Sequence, residues 1–287
     1  MSTPHQQPPA APGAPVSAPA PTWEQPSAAG SYTSPIPITR THLGHAITSE
    51  WTKIKSVRST VWTLGTFLLL VVGIGLLVAS QTADRDYVDV PYTLPSFFGL
   101  VLGQICLITL GVLVISSEYG TGMIRTTLTA SPARHRVLTA KLLIFFAVAF
   151  AVSAFAIGFV GLATAGMHSG ASQEAWIGTV FKGALYVSLL GVLAVAVGSM
   201  LRHSAGAITA MLGVVLVPAI MPAFLMISES TRKVGEKMLD YNAPNSLAKI
   251  FQLDSGSGGG TSQLILLIAV VAAAIAGAYV LLERRDV

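Results

Sequence analysis

Six long apolar runs dominate the hydropathy pattern of this chain of 287 residues. Each run approaches or exceeds the ~20 residues that an α-helix needs to cross about 30 Å of hydrocarbon. Because a bilayer offers the backbone no water, the runs are predicted to be helices. The predicted spans are residues 61–80, 97–116, 142–165, 175–200, 205–227 and 262–282. The predicted fold class is therefore all-α integral membrane with six transmembrane helices in residues 59–287.

A proline-rich segment, residues 1–40, precedes the spans. It holds ten of the sixteen prolines together with many Ala and Ser residues. No apolar stretch in it is long enough for a signal-peptide core. The composition is typical of a disordered tail, and a Pro-rich ligand for some partner domain is the alternative interpretation.

Residues 41–58 have an amphipathic pattern. The apolar positions follow spacings of four, four, three and three: Leu43, Ile47, Trp51, Ile54 and Val57. This pattern predicts an interfacial helix with Trp51 at headgroup level, and Glu50 near the edge of the apolar face is its exception. The residues assigned to this helix and its end are Trp51, Lys53, Lys55 and Arg58. A cytosolic extension of the first span is the alternative.

The connection between the second and third spans, Glu118 to Lys141, is polar and more ordered in composition than a simple turn. Gly120 and Gly122 bracket a tight segment, and Met123 to Ala130 is long enough for two turns of helix. Ser131-Pro132 is predicted to start the next helix, with Ser as N-cap and Pro at the first helical position. Such a segment is predicted to be a docking site.

The Lys and Arg residues of the loops predict the orientation of the spans. With a cytoplasmic N-terminus, eleven lie inside: Arg40, Lys53, Lys55, Arg58, Arg125, Arg134, Arg136, Lys141, Arg202, Arg284 and Arg285. Five lie outside: Arg85, Arg232, Lys233, Lys237 and Lys249. Both termini are therefore predicted to be cytoplasmic, and so is the segment from Glu118 to Lys141.

The last predicted outside loop is long. Its pattern predicts short helices over Ser228–Leu239 and Ser246–Leu253, separated by a break at Pro244-Asn245. A Gly/Ser hinge over residues 254–261 leads to the last span. The loop is either a small external cap or a mobile linker, and the helical patterns favour the cap.

Composition excludes several function classes. Only 10% of the residues are charged, against about 25% in a soluble domain. The net charge of +4 comes without a basic run, so nucleic-acid binding has no support. No phosphate loop, H-E-x-x-H or G-x-S-x-G motif is present, and the six His are scattered. We therefore assign no catalytic residue, no metal site and no cofactor to this chain.

Six residues in the spans are candidates for a pathway or gate: Phe97, Phe98, Gln104, Lys182, Pro218 and Pro222. An ionisable residue inside a span indicates function by default, but Lys182 is close enough to an end to snorkel outward. Gln104 either lines a cavity or hydrogen-bonds a neighbouring helix. The two prolines of the fifth span predict a kink that serves either gating or packing.

Taken together, the chain resembles the permease subunits of the ABC-2 class of ATP-binding-cassette transporters. The amphipathic SEWTKIKSVRSTVW before the first span is similar to that family's elbow helix. The EYGTGMIRTTLTASPARHRVLTAK connection is similar to its cytoplasmic loop between the second and third spans. The residues at or near the loop pattern are Glu118, Gly120, Thr121, Leu128, Pro132, Arg136 and Lys141.

This resemblance implies a mechanism. Two permease chains, identical or different, pack together in the cell membrane, and two separate ATPase subunits dock from the cytoplasm. ATP and Mg then belong to the partner, so this chain is not an enzyme by itself. The loop between the second and third spans is the coupling helix, and a pathway lined mainly by the second and fifth spans opens by alternating access for export. The residues assigned to coupling are Glu118, Gly120, Thr121, Arg125, Pro132, Arg134, Arg136 and Lys141.

Two other function classes remain beside the export permease. The first is a membrane anchor or sensor that recruits a cytoplasmic partner through the same loop without transporting anything. The second is an integral-membrane enzyme, which the scarcity of ionisable residues in the spans disfavours. An apolar pathway would accept lipids, hydrophobic drugs and peptides alike, so the sequence specifies no substrate.

Overall fold

The computed structural model describes residues 42–84, 91–131, 133–168, 176–253 and 259–284. These residues form ten helices and, within the described ranges, no strand. The helices are α1 Leu43–Ser56, α2 Arg58–Gln81, α3 Leu94–Gly120, α4 Met123–Ala130, α5 Arg134–Met167, α6 Trp176–Leu201, α7 Ser204–Leu225, α8 Glu229–Tyr241, α9 Ala243–Ile250 and α10 Thr261–Arg284. The Pro-rich tail, Arg85, Pro132 and Arg285 lie outside the described residues.

Six of the helices are long and apolar enough to cross a membrane: α2, α3, α5, α6, α7 and α10. They confirm the predicted all-α fold with six membrane-spanning helices. The shortest, α7, has 22 residues, and at 1.5 Å per residue it is about 33 Å long. Helix α5 has 34 residues and begins eight residues before the predicted third span, so the connection from α4 continues directly into a span.

The bundle is built around α6 and α3. In the most apolar window of α6, 72% of the residues are buried, and the value for α3 is 56%, against 17% for α2 and α7. Glycines allow the two central helices to approach. A Cβ on Gly111 of α3 would clash with the carbonyl oxygen of Gly191 in α6. Small residues at such crossings are typical of membrane helices, which associate by close packing.

The loop between α7 and α10 forms two helices, α8 and α9, at the end of the bundle where α3 begins. We call it the α9 end, and the opposite end, where α3 leads into α4, the α4 end. Leu247, Ile250 and Phe251 are all within 1% of full burial, so α9 packs on the bundle as a cap. Phe251 lies with its ring centroid 6.3 Å from that of Phe97 in the first turn of α3.

The predicted break at Pro244-Asn245 is wrong. Helix α9 begins at Ala243, and the break lies at Asn242, whose side chain accepts a hydrogen bond from the Asn245 N–H at 2.8 Å. Pro244 sits in the first turn, where its missing N–H removes no helical hydrogen bond. The predicted hinge falls partly on residues 254–258, outside the described ranges.

Candidate functional site

The connection between α3 and α5 contains a short helix, as predicted over Met123–Ala130. Gly122 starts it with φ 72° and ψ 1°, a left-handed conformation that glycine adopts without steric cost. Ile124 is buried, whereas Arg125, Thr126 and Thr129 are exposed. Helix α4 is therefore held by one face and presents the other to its surroundings.

The predicted start of α5 is wrong by two residues. Ser131 closes α4, because its N–H bonds the Thr127 carbonyl at 3.0 Å. Helix α5 begins at Arg134, with Ala133 as N-cap and no side-chain capping bond. Pro132, which we predicted at the first helical position, lies outside the described residues. The stiff part of this connection is thus α5 itself.

Four charged side chains from three helices meet at the α4 end, and we call them the ion quartet: Glu50 and Lys53 of α1, Glu118 of α3 and Lys141 of α5. The Lys141 ammonium lies 2.7 Å from Glu50 Oε2 and 2.6 Å from Glu118 Oε1. The Lys53 ammonium lies 2.8 Å from Glu50 Oε1 and 2.8 Å from Glu118 Oε1. Each lysine therefore bridges α1 to α3.

The quartet is buried and its charges balance. Glu50, Glu118 and Lys141 are 3%, 5% and 1% exposed, and Lys53 is partly open. Burial alone would lower the pKa of Lys53, but hydrogen bonds to Glu118 and Glu50 outweigh it, so the pKa is raised. Lys53 stays charged at neutral pH. Removing one member would leave a buried charge short of a partner, a costly state in a low-dielectric site.

Sequence reasoning found three of the quartet residues in other roles and passed over the fourth. Glu118 and Lys141 were assigned to coupling, and both are buried at the junction of α1, α3 and α5, next to α4. Lys53 was assigned to the flank of an interfacial helix, and its ammonium points into the bundle instead. Glu50 was treated as an exception to the apolar face of α1. A lone acid at such a position, three residues before a lysine, was the available signal.

The remaining residues assigned to coupling lie around the junction of α1, α3 and α5. Gly120 and Thr121 are exposed at the junction of α3 and α4. Arg134 donates to the Leu282 carbonyl of α10 at 3.4 Å, and Arg136 is half-buried near the start of α5. The end of α10 therefore lies beside the start of α5.

The turn between α6 and α7 lies at the same end. The Arg202 guanidinium stacks over the Tyr119 ring at 5.2 Å from its centroid. Arg202 has φ 55°, a left-handed conformation that is rare outside glycine. Of the basic residues that the charge count grouped on one side of the membrane, Lys53, Arg134 and Arg202 thus lie at one end of the bundle.

Helix α1 exposes the aromatic residue that the amphipathic pattern emphasised. Trp51 is 42% exposed, and the Lys55 ammonium lies 4.7 Å from its ring centroid. Arg58 is the exposed first residue of α2. Helix α1 ends at Ser56 and α2 begins at Arg58, so α1 is a separate helix rather than a continuation of the first span.

The structure distributes the candidate pathway residues over several environments. Phe97 is 9% exposed and packs edge-on against Phe98, which is 42% exposed. Gln104 is buried, and its amide donates to the Val101 carbonyl of its own helix at 3.0 Å. Lys182 donates to the Gly259 carbonyl at 3.2 Å, joining α6 to the start of α10.

The two prolines of α7 lie near α9. Helix α7 runs through Pro218 and Pro222 without interruption. The Pro218 carbonyl lacks its usual helical donor, because Pro222, four residues later, has no N–H. It accepts instead a hydrogen bond from the Asn242 side chain at 3.4 Å. One polar residue of the cap therefore compensates a proline in a span.

Comparison with known families identifies the class of this chain. The profile described as "ABC-2 family transporter protein" matches residues 46–217, more than half of the chain, and this range includes the ion quartet and α4. The chain belongs to the ABC-2 transporter family. It is thus a multi-pass membrane subunit of an ATP-binding-cassette transporter and not itself the ATPase. No curated protein matches the chain.

Proposed function

We propose that this ABC-2 permease is the translocating half of an exporter, driven by separate ATPase subunits through α4. The observation that carries the proposal is the position of α4 between two helices that the ion quartet joins. Glu118 precedes α4 by one turn of α3, and Lys141 lies two turns into α5. A displacement of α4 is therefore passed to α1, α3 and α5 together.

Rigidity is what such a lever requires. The four nitrogen–oxygen contacts of the quartet are 2.6–2.8 Å long, and three of its four side chains are nearly inaccessible to water. A flexible connection would absorb a push, whereas a buried charged network with short contacts transmits it. In this proposal Gly120, Thr121, Arg125, Arg134 and Arg136 face or flank the ATPase, and Glu118 and Lys141 hold the lever in place.

The orientation follows the positive-inside rule. Lys53, Arg134 and Arg202 all lie at the α4 end, which we assign to the cytoplasm. Helix α1 then lies in the cytoplasmic membrane surface with Trp51 at headgroup level. The α8–α9 cap lies outside. Exposed apolar side chains on α2 and α7 face lipid and a second permease chain.

The test of coupling uses the exposed face of α4. Arg125→Glu is expected to reduce recovery of the ATPase subunit with the tagged permease at least tenfold, because it reverses a charge on the proposed contact surface. Arg232→Glu, at another exposed arginine on α8, is the matched control and should leave recovery unchanged. Unaltered recovery and ATP turnover with Arg125→Glu would contradict docking through α4.

A transport measurement separates the exporter from a membrane anchor or sensor. The permease and its ATPase are reconstituted into vesicles, and ATP-dependent movement of a panel of lipids, hydrophobic drugs and peptides is measured. The exporter predicts ATP-dependent movement of at least one class towards the side opposite the ATPase. An anchor predicts an intact complex that hydrolyses ATP without moving any of them.

A further inference from the structure

A cavity of about 230 Å³ opens beside the ion quartet, between α1, the start of α2 and the second half of α3. One part of its wall is apolar and comes from Ile54, Val57, Leu110 and Leu113. The other part holds Lys53, Ser117, Glu118 and Thr121. The coupling role of α4 uses the quartet but does not need this space.

The wall changes from apolar to polar along α3. Leu110 and Thr121 are eleven residues apart, so the cavity follows the helix for about 16 Å. On α3 the apolar lining lies deeper in the span, and the polar lining lies at the α4 end, where Ser117 and Thr121 are exposed. An amphiphile inserted in a bilayer has the same order, with its hydrocarbon chain in the membrane interior and its headgroup at the surface.

The polar part of the cavity is rich in hydrogen-bond acceptors. The Ser117 hydroxyl donates to the Leu113 carbonyl at 2.6 Å, and the Thr121 hydroxyl donates to the Ser117 carbonyl at 2.8 Å. Each hydroxyl has then used its only proton and keeps lone pairs. Glu118 Oε2 is buried and makes no hydrogen bond within the described residues. A ligand that fits here brings a donor.

The charges of the quartet decide what kind of donor. Two carboxylates balance two ammonium groups, so an added charge of either sign would give this buried site an uncompensated net charge. Lys53 makes two hydrogen bonds to carboxylates, and an ammonium group has three protons. A hydroxyl can donate to the oxygens and accept from Lys53, and it carries no charge.

The volume of the cavity limits the size of the ligand's hydrocarbon chain. Drug-sized ligands occupy pockets of roughly 300–1,000 Å³, and this cavity is smaller. We propose that it binds a single-chain amphiphile with an uncharged hydroxyl headgroup. The chain lies against Leu110 and Leu113, and the hydroxyl group lies between Ser117 and Glu118. The proposal does not depend on transport or on the ATPase.

The test is photolabelling of the full chain in phosphatidylcholine nanodiscs, because alkyl-sugar detergents belong to the proposed ligand class. The probe is a monoacylglycerol whose decanoyl chain carries a diazirine, and labelled peptides are located by mass spectrometry. We expect saturable labelling around Ile54–Val57 and Leu110–Val114. The same chain with a carboxylate or an ammonium head should label these sites at least tenfold less.

Competition distinguishes the two sources of this chemistry. Stronger displacement of the probe by unlabelled decanoylglycerol than by decanol indicates a membrane lipid as the ligand. Equal displacement indicates any fatty alcohol. Both results support the site, and displacement by neither overturns it.

Two variants test the location. Leu113→Trp fills the apolar part of the cavity and should abolish saturable labelling, whereas Leu102→Trp, on the lipid-exposed side of the same helix, should not change it. Ser117→Ala removes an exposed acceptor and should reduce the preference for the hydroxyl head even if Leu113→Trp fails to fold. Labelling that does not saturate, or that is equal for all three heads, means that the cavity holds only water and overturns the proposal.

Discussion

At the scale of single residues, the ion quartet concentrates the chemistry of this chain. Lys141 is 1% exposed and contacts carboxylates from two other helices. Replacing a buried ion pair as a whole is often tolerated, but removing one partner leaves an uncompensated charge. The quartet therefore makes the junction of α1, α3 and α5 sensitive to single charge changes and tolerant of balanced ones.

Lys141→Met is expected to lower the free energy of unfolding by about 3–5 kcal/mol, because two buried carboxylates then share one ammonium group. Adding Glu118→Gln restores the charge balance and should recover most of this loss. Thermal and denaturant unfolding of the purified chain measures both. Lys249→Met, which breaks the more exposed pair with Asp240, is the control and should cost at most about 1 kcal/mol. A double variant as unstable as Lys141→Met would contradict the balance argument.

At the scale of helices, the stability of the short α4 depends on the backbone conformation at its start and on its contacts with neighbouring helices. Gly122 directs the chain from α3 into α4 through a left-handed conformation. A Cβ there would contact nothing within 4 Å, so a substitution acts through the backbone alone. Ile124 is its one buried residue, so the helix has little packing of its own.

Gly122→Ala should therefore destabilise α4 by roughly 1–2 kcal/mol, the cost of the left-handed conformation for a residue with a Cβ. Amide hydrogen exchange should rise in Met123–Ala130 and stay unchanged in α3 and α5. Gly120→Ala is the matched control, because Gly120 is the last residue of α3 and has open space around it. Equal exchange in the two variants would show that the turn does not limit α4.

At the scale of the whole molecule, the bundle is held by close approach of α3 and α6 while α2 and α7 remain open on their outer sides. At Gly111 and Gly191 the two helices meet backbone to backbone, so a clash introduced there cannot be relieved by rotating a side chain. This packing fixes the helix that leads into α4 against the most buried helix of the bundle.

Gly111→Ala is expected to lower the unfolding free energy by about 1–3 kcal/mol through overpacking. Gly73→Ala, at an exposed position of α2 with nothing within 4 Å, should be neutral or slightly stabilising. Unfolding in mild detergent compares the two variants. If both behaved alike, the close approach of α3 and α6 would not be a principal contact of the bundle.

Local pattern was sufficient for much of this fold. Apolar length alone predicts the six spans, because a bilayer imposes the same requirement on every segment. The 3.6-residue period predicts α1, and composition predicts α4 over Met123–Ala130. Helix boundaries were less accurate at Pro244 and Ser131. Asn242 caps α9 with its own side chain, and Ala133 precedes α5 without a side-chain capping bond.

The ion quartet and the cavity beside it required the tertiary structure. Glu50 and Lys141 are 91 positions apart, and each by itself resembles an ordinary charge, the first on an amphipathic helix and the second just before an apolar run. Their partnership arises only when α1 packs across α3 and α5, because hydropathy specifies that a segment is buried in a bilayer but not which neighbour it meets. The helices, their approximate limits and the family follow from the order of residues along the chain. Which charges meet, and what space they enclose, is settled by packing.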